Sequence, residues 1–353
     1  MIPVTVLTGF LGSGKTTLLG KLLKSPAFAR TAVIINEFGE VGLDHDLIET
    51  GDESFITLQT GCLCCTIRGD LVLTLADVLR RRDEGTVTPF DRVVIETSGL
   101  ADPAPILHAV MSDDALAERL TLSGVVTTVD AVNGLTNLER QPESVKQAAV
   151  ADRVVITKTD IADRMAIHEL SRRLGKLNPS AWQLETAPSV AIDPDQLLIR
   201  DFHDLESKAE EVRGWLAIEK EEAGAAAPHL HHLDVGRHDA SIHAFCLRFQ
   251  RPLDWTAFGI WLAMLLHCHG SDILRVKGLL NIGTDSGPVV INGVQHLVHP
   301  PDHLPDWPDD DRSSRVVFIV RGLSRDIIER SLAAFALEAG EGDVVSAADG
   351  LMR

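Results

Sequence analysis

The chain opens with a short run of apolar and β-branched residues, Pro3–Gly9, which passes through a glycine-rich stretch into "KTTLLGKLLK". There the apolar positions recur every three to four residues, so the pattern predicts strand, turn and amphipathic helix in succession. The same alternation continues up to about Arg200. Further strands are predicted at Thr31–Asn36, Asp91–Glu96, Ser123–Asp130 and Asp152–Thr157, with a helix over Arg164–Leu177. Near-continuous apolar strands separated by helices are what a mostly parallel sheet covered on both faces requires. The expected fold of this half is α/β, doubly wound.

The rhythm changes after about Arg200. One amphipathic stretch around Val212 leads into a polar, Ala- and His-rich segment without steady periodicity, which reads as a linker. A different pattern follows: "SIHAFCLRF", a helix around "WTAFGIWLAMLL", "PVVINGVQHLV", "RVVFIV" and a last helix from about Arg325. Asn292-Gly293 between two apolar runs predicts a hairpin turn. "PPDHLPDWPDDD" reads as a Pro/Asp-rich surface loop without structure. The expected division is an α/β domain over 1–205, a helix and His-containing linker over 206–240, and a small α+β domain with an antiparallel sheet over 241–353.

Charge narrows the function classes. The 353 residues hold 33 basic and 51 acidic side chains, a formal net charge of −18. That counts against sequence-independent nucleic-acid binding, which needs basic surface to neutralise phosphates. No apolar run approaches the roughly 20 residues that would cross a membrane. No basic stretch precedes the first strand, so no signal peptide is expected and the setting reads as cytoplasmic. Disulfides are unusual there, which gives weight to three of the five cysteines falling within four positions.

"GFLGSGKT", Gly9–Thr16, fits G-x-x-x-x-G-K-[ST] between a predicted strand and a predicted helix, the context that separates a true phosphate loop from a chance match. Gly9, Gly12 and Gly14, with Ser13, allow the backbone N–H groups to turn inward around phosphates. Lys15 would neutralise β/γ oxygens, and the hydroxyl of Thr16, next to Thr17, would ligate Mg²⁺. Two later strand ends supply further parts. "VVIETSG" offers the Glu96 carboxylate for the Mg²⁺ shell or the attacking water, and the Gly99 amide for a γ-phosphate. "VVITKTD" places Thr157, Lys158 and Asp160 on the next loop. An aspartate there accepts both N–H groups on the edge of guanine, while the lysine stem lies across the base, which points to GTP over ATP.

Cys62, Cys64 and Cys65 lie in "TGCLCCTIRGD", a Gly-flanked turn before a helix expected from near Gly69. Thiolates favour Zn²⁺, Cu(I) and similar ions in tetrahedral sites, and three of them leave a fourth position open. Packing as small apolar side chains is the plain alternative. A redox pair is a third, although vicinal cysteines form a strained ring and C-x-C lacks the usual C-x-x-C spacing.

Taken together, "GFLGSGKTTLL", "NEFGEVGLD", "GCLCCTIRGDL", "ETSGLADP", "TKTD" and "LNP" resemble, in order, the motifs of the CobW-type GTPases, a family of P-loop metallochaperones. "LRVKG" and "RVVFI" are similar to that family's C-terminal domain. The resemblance implies that Lys15 and Thr16 bind phosphate and Mg²⁺, and that Cys62, Cys64 and Cys65 hold a transition metal near the nucleotide. Glu37, in the "NEFGE" segment, would be an acidic partner for that metal or for Mg²⁺. Thr157 departs from the asparagine commoner at this position in GTPases. The expected activity is slow GTP hydrolysis that opens and closes the thiol site and passes Zn²⁺, or second Co²⁺, to a client metalloprotein. The chain would act as a monomer or as a homodimer formed with metal or nucleotide. A metal sensor or store, and a P-loop kinase with structural cysteines, are the alternatives. Linker histidines His229, His231, His232 and His238, with His243, could be accessory ligands, whereas His267 and His269 at the end of a helix point to different sides.

Overall fold

A computed structural model of the chain describes residues 1–38, 55–60, 65–190, 192–193, 197, 242–283 and 287–335. The linker expected over 206–240 lies outside these residues, as do Cys62 and Cys64. The chain divides into two compact units, one within Met1–Leu233 and one within Asp234–Arg353.

Seven strands build the sheet of the first unit: β1 (Ile2–Gly9), β2 (Thr31–Phe38), β3 (Phe55–Thr60), β4 (Arg92–Thr97), β5 (Leu120–Asp130), β6 (Arg153–Thr157) and β7 (Trp182–Glu185). Their order is β3-β2-β4-β1-β5-β6-β7, and every pairing is parallel. A parallel sheet sends each strand's exit to the same edge. The loops after β1, β4, β5, β6 and β7 therefore gather there despite their distance in sequence. The five inner strands follow the apolar runs of the sequence. The two outermost were not expected, because "FITLQT" mixes apolar with polar residues and "WQLE" is short and only half-buried. Edge strands need less apolar surface than inner ones, so their signal is weaker.

Helices α1 (Lys15–Leu23), α2 (Cys65–Asp83), α3 (Ala104–Ser112), α4 (Asp114–Ala117), α5 (Gly134–Arg140), α6 (Pro142–Ala149) and α7 (Arg164–Leu177) connect the strands. α1 buries Leu18, Leu19 and Leu22 against Leu7, Val33, Val94 and Val126 of the sheet. α7 coincides with its expected span: Asp163 caps it by accepting from the Met165 amide, and Ile167, Leu170, Leu174 and Leu177 form its buried stripe. α2 starts at Cys65, not near Gly69. From Leu71 onward, Leu75, Val78 and Leu79 continue its buried stripe with helical spacing. The "LNP" motif is explained locally. Asn178 Nδ2 donates to the carbonyls of Ala148, Ala149 and Ala151 at 2.9, 3.1 and 2.9 Å, satisfying groups that the end of α6 leaves open.

The second unit comprises β8 (Ile242–Phe249), α8 (Trp255–His269), β9 (Ile273–Leu280), β10 (Val289–Val294), β11 (Leu297–Val298), β12 (Asp302–His303), β13 (Ser314–Arg321) and α9 (Arg325–Ala333). Its antiparallel sheet has the order β11-β10-β9-β13-β8, with β12 on β10. Phe258, Trp261, Leu262, Leu265 and Leu266 of α8 fill a core with Phe249, Val276, Ile291 and Phe318. The α/β unit and the antiparallel α+β unit are the expected fold classes.

Two local expectations fail here. Asn292 and Gly293 lie inside β10, paired with Lys277 and Val276, and the turn falls on Gln295–His296, with Gln295 at φ 52°. Gly293 is needed for close approach instead of for a turn: a Cβ there would stand 2.9 Å from the Leu297 carbonyl oxygen. The Pro/Asp-rich segment also does more than cover surface. Asp302 and His303 form β12, and Asp309 reaches back to the fully buried Arg315 with a 3.1 Å ion pair.

Candidate functional site

The phosphate loop is built where β1 gives way to α1. Gly9, Gly12 and Gly14 take φ values of 143°, 68° and 92°, a region that L side chains avoid, so the turn depends on glycine. Gly9 has no room either: a Cβ would lie 2.3 Å from Thr128 Oγ1. Gly14 precedes α1 without any side-chain cap, which leaves the first-turn amides of the helix to another acceptor. Lys15 is 7% exposed and its Nζ donates to the Gly9 and Phe10 carbonyls at 3.0 and 3.4 Å. The ammonium is thereby held in the crook of the loop. Gly12 and Thr17 are exposed at its rim.

Ser13 lies in the loop and also ties it to its neighbours. Its amide donates to the Phe10 carbonyl at 3.1 Å and its hydroxyl bonds Thr128 Oγ1 at 2.7 Å, so it anchors the loop to β5. Its carbonyl accepts from Thr157 Oγ1 at 2.7 Å. That bond gives Thr157 a role where asparagine was missing: its hydroxyl ties the β6 loop to the phosphate loop.

Glu96, 2% exposed at the end of β4, accepts from Thr16 Oγ1 at 2.7 Å. A hydroxyl and a carboxylate in contact beside a phosphate cradle form an all-oxygen donor pair, the chemistry that suits Mg²⁺. Two residues past β4, Gly99 is pressed on the phosphate loop. A Cβ there would fall 2.7 Å from Leu11 Cδ2 and 2.8 Å from its Cα and amide nitrogen.

On the other side of β1, Lys158 adopts a left-handed φ of 58°, and its Nζ bonds Asp130 Oδ2 at 2.8 Å. Such a conformation costs about 1 kcal/mol or more in a non-glycine residue and persists where its surroundings fix it. Asp130 is that fixture. Burial pushes its carboxyl up, but hydrogen bonds from Lys158, Asn133 and the Val132 amide outweigh burial and hold it below its ordinary value. Asp160 is exposed beyond this turn.

Sequence reasoning missed Asp130, although it ends an apolar strand just as Glu96 does. It also missed the loop after β7. There the Thr186 carbonyl accepts from Thr159 Oγ1 at 3.0 Å, and the Ala187 carbonyl accepts from Lys21 Nζ at 2.6 Å. That loop flanks the Thr157–Asp160 turn and becomes visible only once β7 is recognised beside β6.

The strand that leads to the thiol stretch ends at the same edge of the sheet. β3 ends at Thr60, paired with Phe38 of β2, and α2 begins at Cys65. Glu37 pairs with Gln59, one residue past the Asn36–Thr97 pair that joins β2 to β4. Cys62 and Cys64 lie outside the described residues, so the cluster's geometry does too. Among the described residues, no group of three His, Cys, Asp or Glu side chains is placed to hold a metal. His296 Nδ1 sits 2.8 Å from the Leu266 carbonyl, and Cys268 is exposed. Among them, too, no helix is long and apolar enough to cross a membrane.

The uncapped α1 terminus, the buried lysine in its loop and the Thr16–Glu96 pair at the edge of a parallel sheet define a P-loop nucleotide-binding protein. Residues 3–185 match the CobW/HypB/UreG nucleotide-binding domain, and residues 242–336 match the cobalamin synthesis protein CobW C-terminal domain. The chain belongs to this family of P-loop GTPases, and with that the kinase alternative falls away. It is similar to the zinc chaperone YjiA of Escherichia coli, at 34% identity over 95% of this chain and 98% of the relative. It also resembles the zinc-regulated GTPase metalloprotein activator 1 of Schizosaccharomyces pombe, at 30% identity over 92% of this chain and 83% of the relative. The crystal structure of Zn(II)-bound YjiA GTPase superposes with a TM-score of 0.65 at 29% identity, covering 95% of this chain and 98% of that one. A Zn(II)-bound triple mutant of YjiA, with one glutamate and two cysteines replaced by alanine, gives the same TM-score.

Proposed function

We propose that this chain couples GTP hydrolysis to the loading and release of Zn²⁺ at Cys62, Cys64 and Cys65, and that it hands the metal to a client metalloprotein. In this reading the loop amides and Lys15 hold the β/γ-phosphates, Thr16 and Glu96 hold Mg²⁺, and Gly99 meets the γ-phosphate. The metal held by Thr16 and Glu96 would supply charge neutralisation for the phosphates. Asp160 reads guanine. Asp130 keeps the Lys158 stem in place for the base. Thr157 carries any movement of the base loop into the phosphate loop.

The observation that carries the reading is the parallel register. It runs Leu7–Glu96, Glu96–Ile35 and Ile35–Thr57, so the Mg²⁺ carboxylate and the strand leading to the cysteines share one ladder. Three strand spacings of about 4.8 Å separate β1 from β3, about 14 Å in all. In this reading β4 and β2, with Glu37 near the end of β2, lie between the phosphate loop and the strand that leads to the cysteines and carry the nucleotide state across. Zinc is favoured over cobalt because the relatives are zinc chaperones, and thiolates alone do not separate the two.

The test is Zn²⁺ affinity by anaerobic chelator competition, with a GTP analogue, for wild type and for the Cys64→Ser, Cys65→Ser variant. YjiA without two of its cysteines was still crystallised with zinc, so the readout is tight, nucleotide-dependent affinity and not zinc binding as such. A loss of at least about a hundredfold is expected when two of three thiolates go; unchanged affinity would remove the thiol site from the account. Transfer of zinc to a chelating acceptor that speeds up on GTP hydrolysis separates delivery from storage.

A further inference from the structure

Helix α6 grips the turn that follows Glu96. Gln147 is 0% exposed, and its Nε2 donates to two carbonyls of that turn, Gly99 at 3.2 Å and Ala101 at 3.0 Å. Two carbonyl acceptors dictate which end of the carboxamide faces the turn. Its Oε1 has no hydrogen-bond partner among the described residues. The arrangement therefore satisfies the turn and not the glutamine. Beside it, Lys146 Nζ pairs with Asp102 Oδ2 at 3.0 Å, so α6 holds the turn at Gly99, Ala101 and Asp102.

The helix is itself held from behind. Asn178 binds the carbonyls at its end, and the Gln147 carbonyl accepts from Thr127 Oγ1 of β5 at 2.8 Å. On the other side of the turn, Gly99 lies so close to Leu11 of the phosphate loop that a single methyl would clash with its backbone. The contacts thus run without a gap from α6 through the turn to the phosphate loop. Movement of Gly99 away from α6 stretches its bond to Gln147, and movement of the whole turn stretches both.

We infer that Gln147 is a positioning residue for the nucleotide cycle: by holding the Gly99–Ala101 turn against the phosphate loop it sets the preference for GTP over GDP and the rate of hydrolysis, without touching nucleotide. The inference rests on the GTPase reading above. A glutamine that only stabilised the fold would affect both nucleotides alike.

Two variants separate these roles. Gln147→Glu keeps the shape but turns an oxygen onto two carbonyls, and Gln147→Met keeps the length with no polar atom. Both should lower kcat for GTP, and the ratio of GTP-analogue to GDP affinity, by about thirtyfold, the worth of two ordinary hydrogen bonds. GDP affinity should stay within about twofold of wild type, since GDP makes no γ-phosphate contact. Should Gln147→Glu fail to fold by circular dichroism, Gln147→Met carries the test. An unchanged affinity ratio and kcat in a wild type that hydrolyses GTP, or equal losses for both nucleotides, would overturn the positioning role. A wild type that binds neither guanine nucleotide would instead overturn the GTPase reading.

Discussion

The two units bury their charges in different places. In the first, Lys15, Glu96 and Asp130 are buried at the exits of parallel strands, and each is bonded to a residue of another loop or of the loop it holds. In the second, Arg275 and Lys277 are buried along β9, and Arg315 sits at the start of β13, paired with Asp309 and Asp311. Topology accounts for the difference. Parallel strands deliver every loop to one edge, where polar groups from distant parts of the chain meet and form a site. Antiparallel strands exit at alternate ends and gather no such edge, so the buried arginine serves to pin down a Pro/Asp-rich loop. Lys15, Glu96 and Asp130 tie together the loops of the candidate site, whereas Asp152, buried at the entrance to β6 where it accepts from the Val125 amide, and Arg315 in the second unit serve as anchors.

Substitutions sharpen the contrast. The largest effect should come from Lys15→Ala, which removes the cation in the phosphate loop. GTP turnover should fall by about a thousandfold, on the order of 4 kcal/mol of transition-state stabilisation, with little change in the urea unfolding of the second unit. Turnover within tenfold of wild type would contradict the assignment. Arg315→Ala should do the reverse. It leaves Asp309 and Asp311 without their buried partner and destabilises the second unit by about 3 kcal/mol in urea denaturation, while steady-state hydrolysis by folded protein stays unchanged. Thr157→Val removes one hydroxyl from the bond to Ser13. A loss of about 1 kcal/mol, or about fivefold in guanine-nucleotide affinity, is expected. Discrimination against ATP should survive, because Asp160 is untouched.

Acid provides the mildest comparison. Burial raises the Asp311 carboxyl, but hydrogen bonds from Ser313 and the charges of Arg315 and Arg248 hold it below its ordinary value, as Lys158 and its neighbours do for Asp130. A carboxyl with a lowered folded-state value stabilises the fold above its unfolded value of about 3.9, and that contribution is lost as pH falls through the folded value. Both units should therefore weaken below about pH 4. Asp130→Asn should flatten the acid transition of the first unit only, and Asp311→Asn that of the second only, as read by fluorescence against pH.

Much of the site could be read in the sequence because it is local. Gly9–Thr16 is strand, loop and helix in one stretch, and Glu96 is named by the apolar run that it ends. What escaped depends on which strands become neighbours. Thr157 finds its partner in Ser13 only because β6 lies beside β5 and β5 beside β1, which brings together residues 144 apart in sequence. Asp130 and the loop after β7 were hidden for the same reason. The Asn292-Gly293 pair misled because a glycine needed for close approach carries the same letters as a turn. For the thiol stretch the order is reversed: Cys62, Cys64 and Cys65 propose a metal site by their clustering, while their geometry lies outside the described residues.

The central claim is that the thiols feel the γ-phosphate across β4 and β2. Anaerobic competition titration of Zn²⁺ against a chelator, run on one preparation with a GTP analogue and with GDP, tests it directly. The account predicts affinities that differ by at least about tenfold, since a ligand shifts a switch only by its differential affinity for the two states. Equal affinities in the two nucleotide states would contradict it.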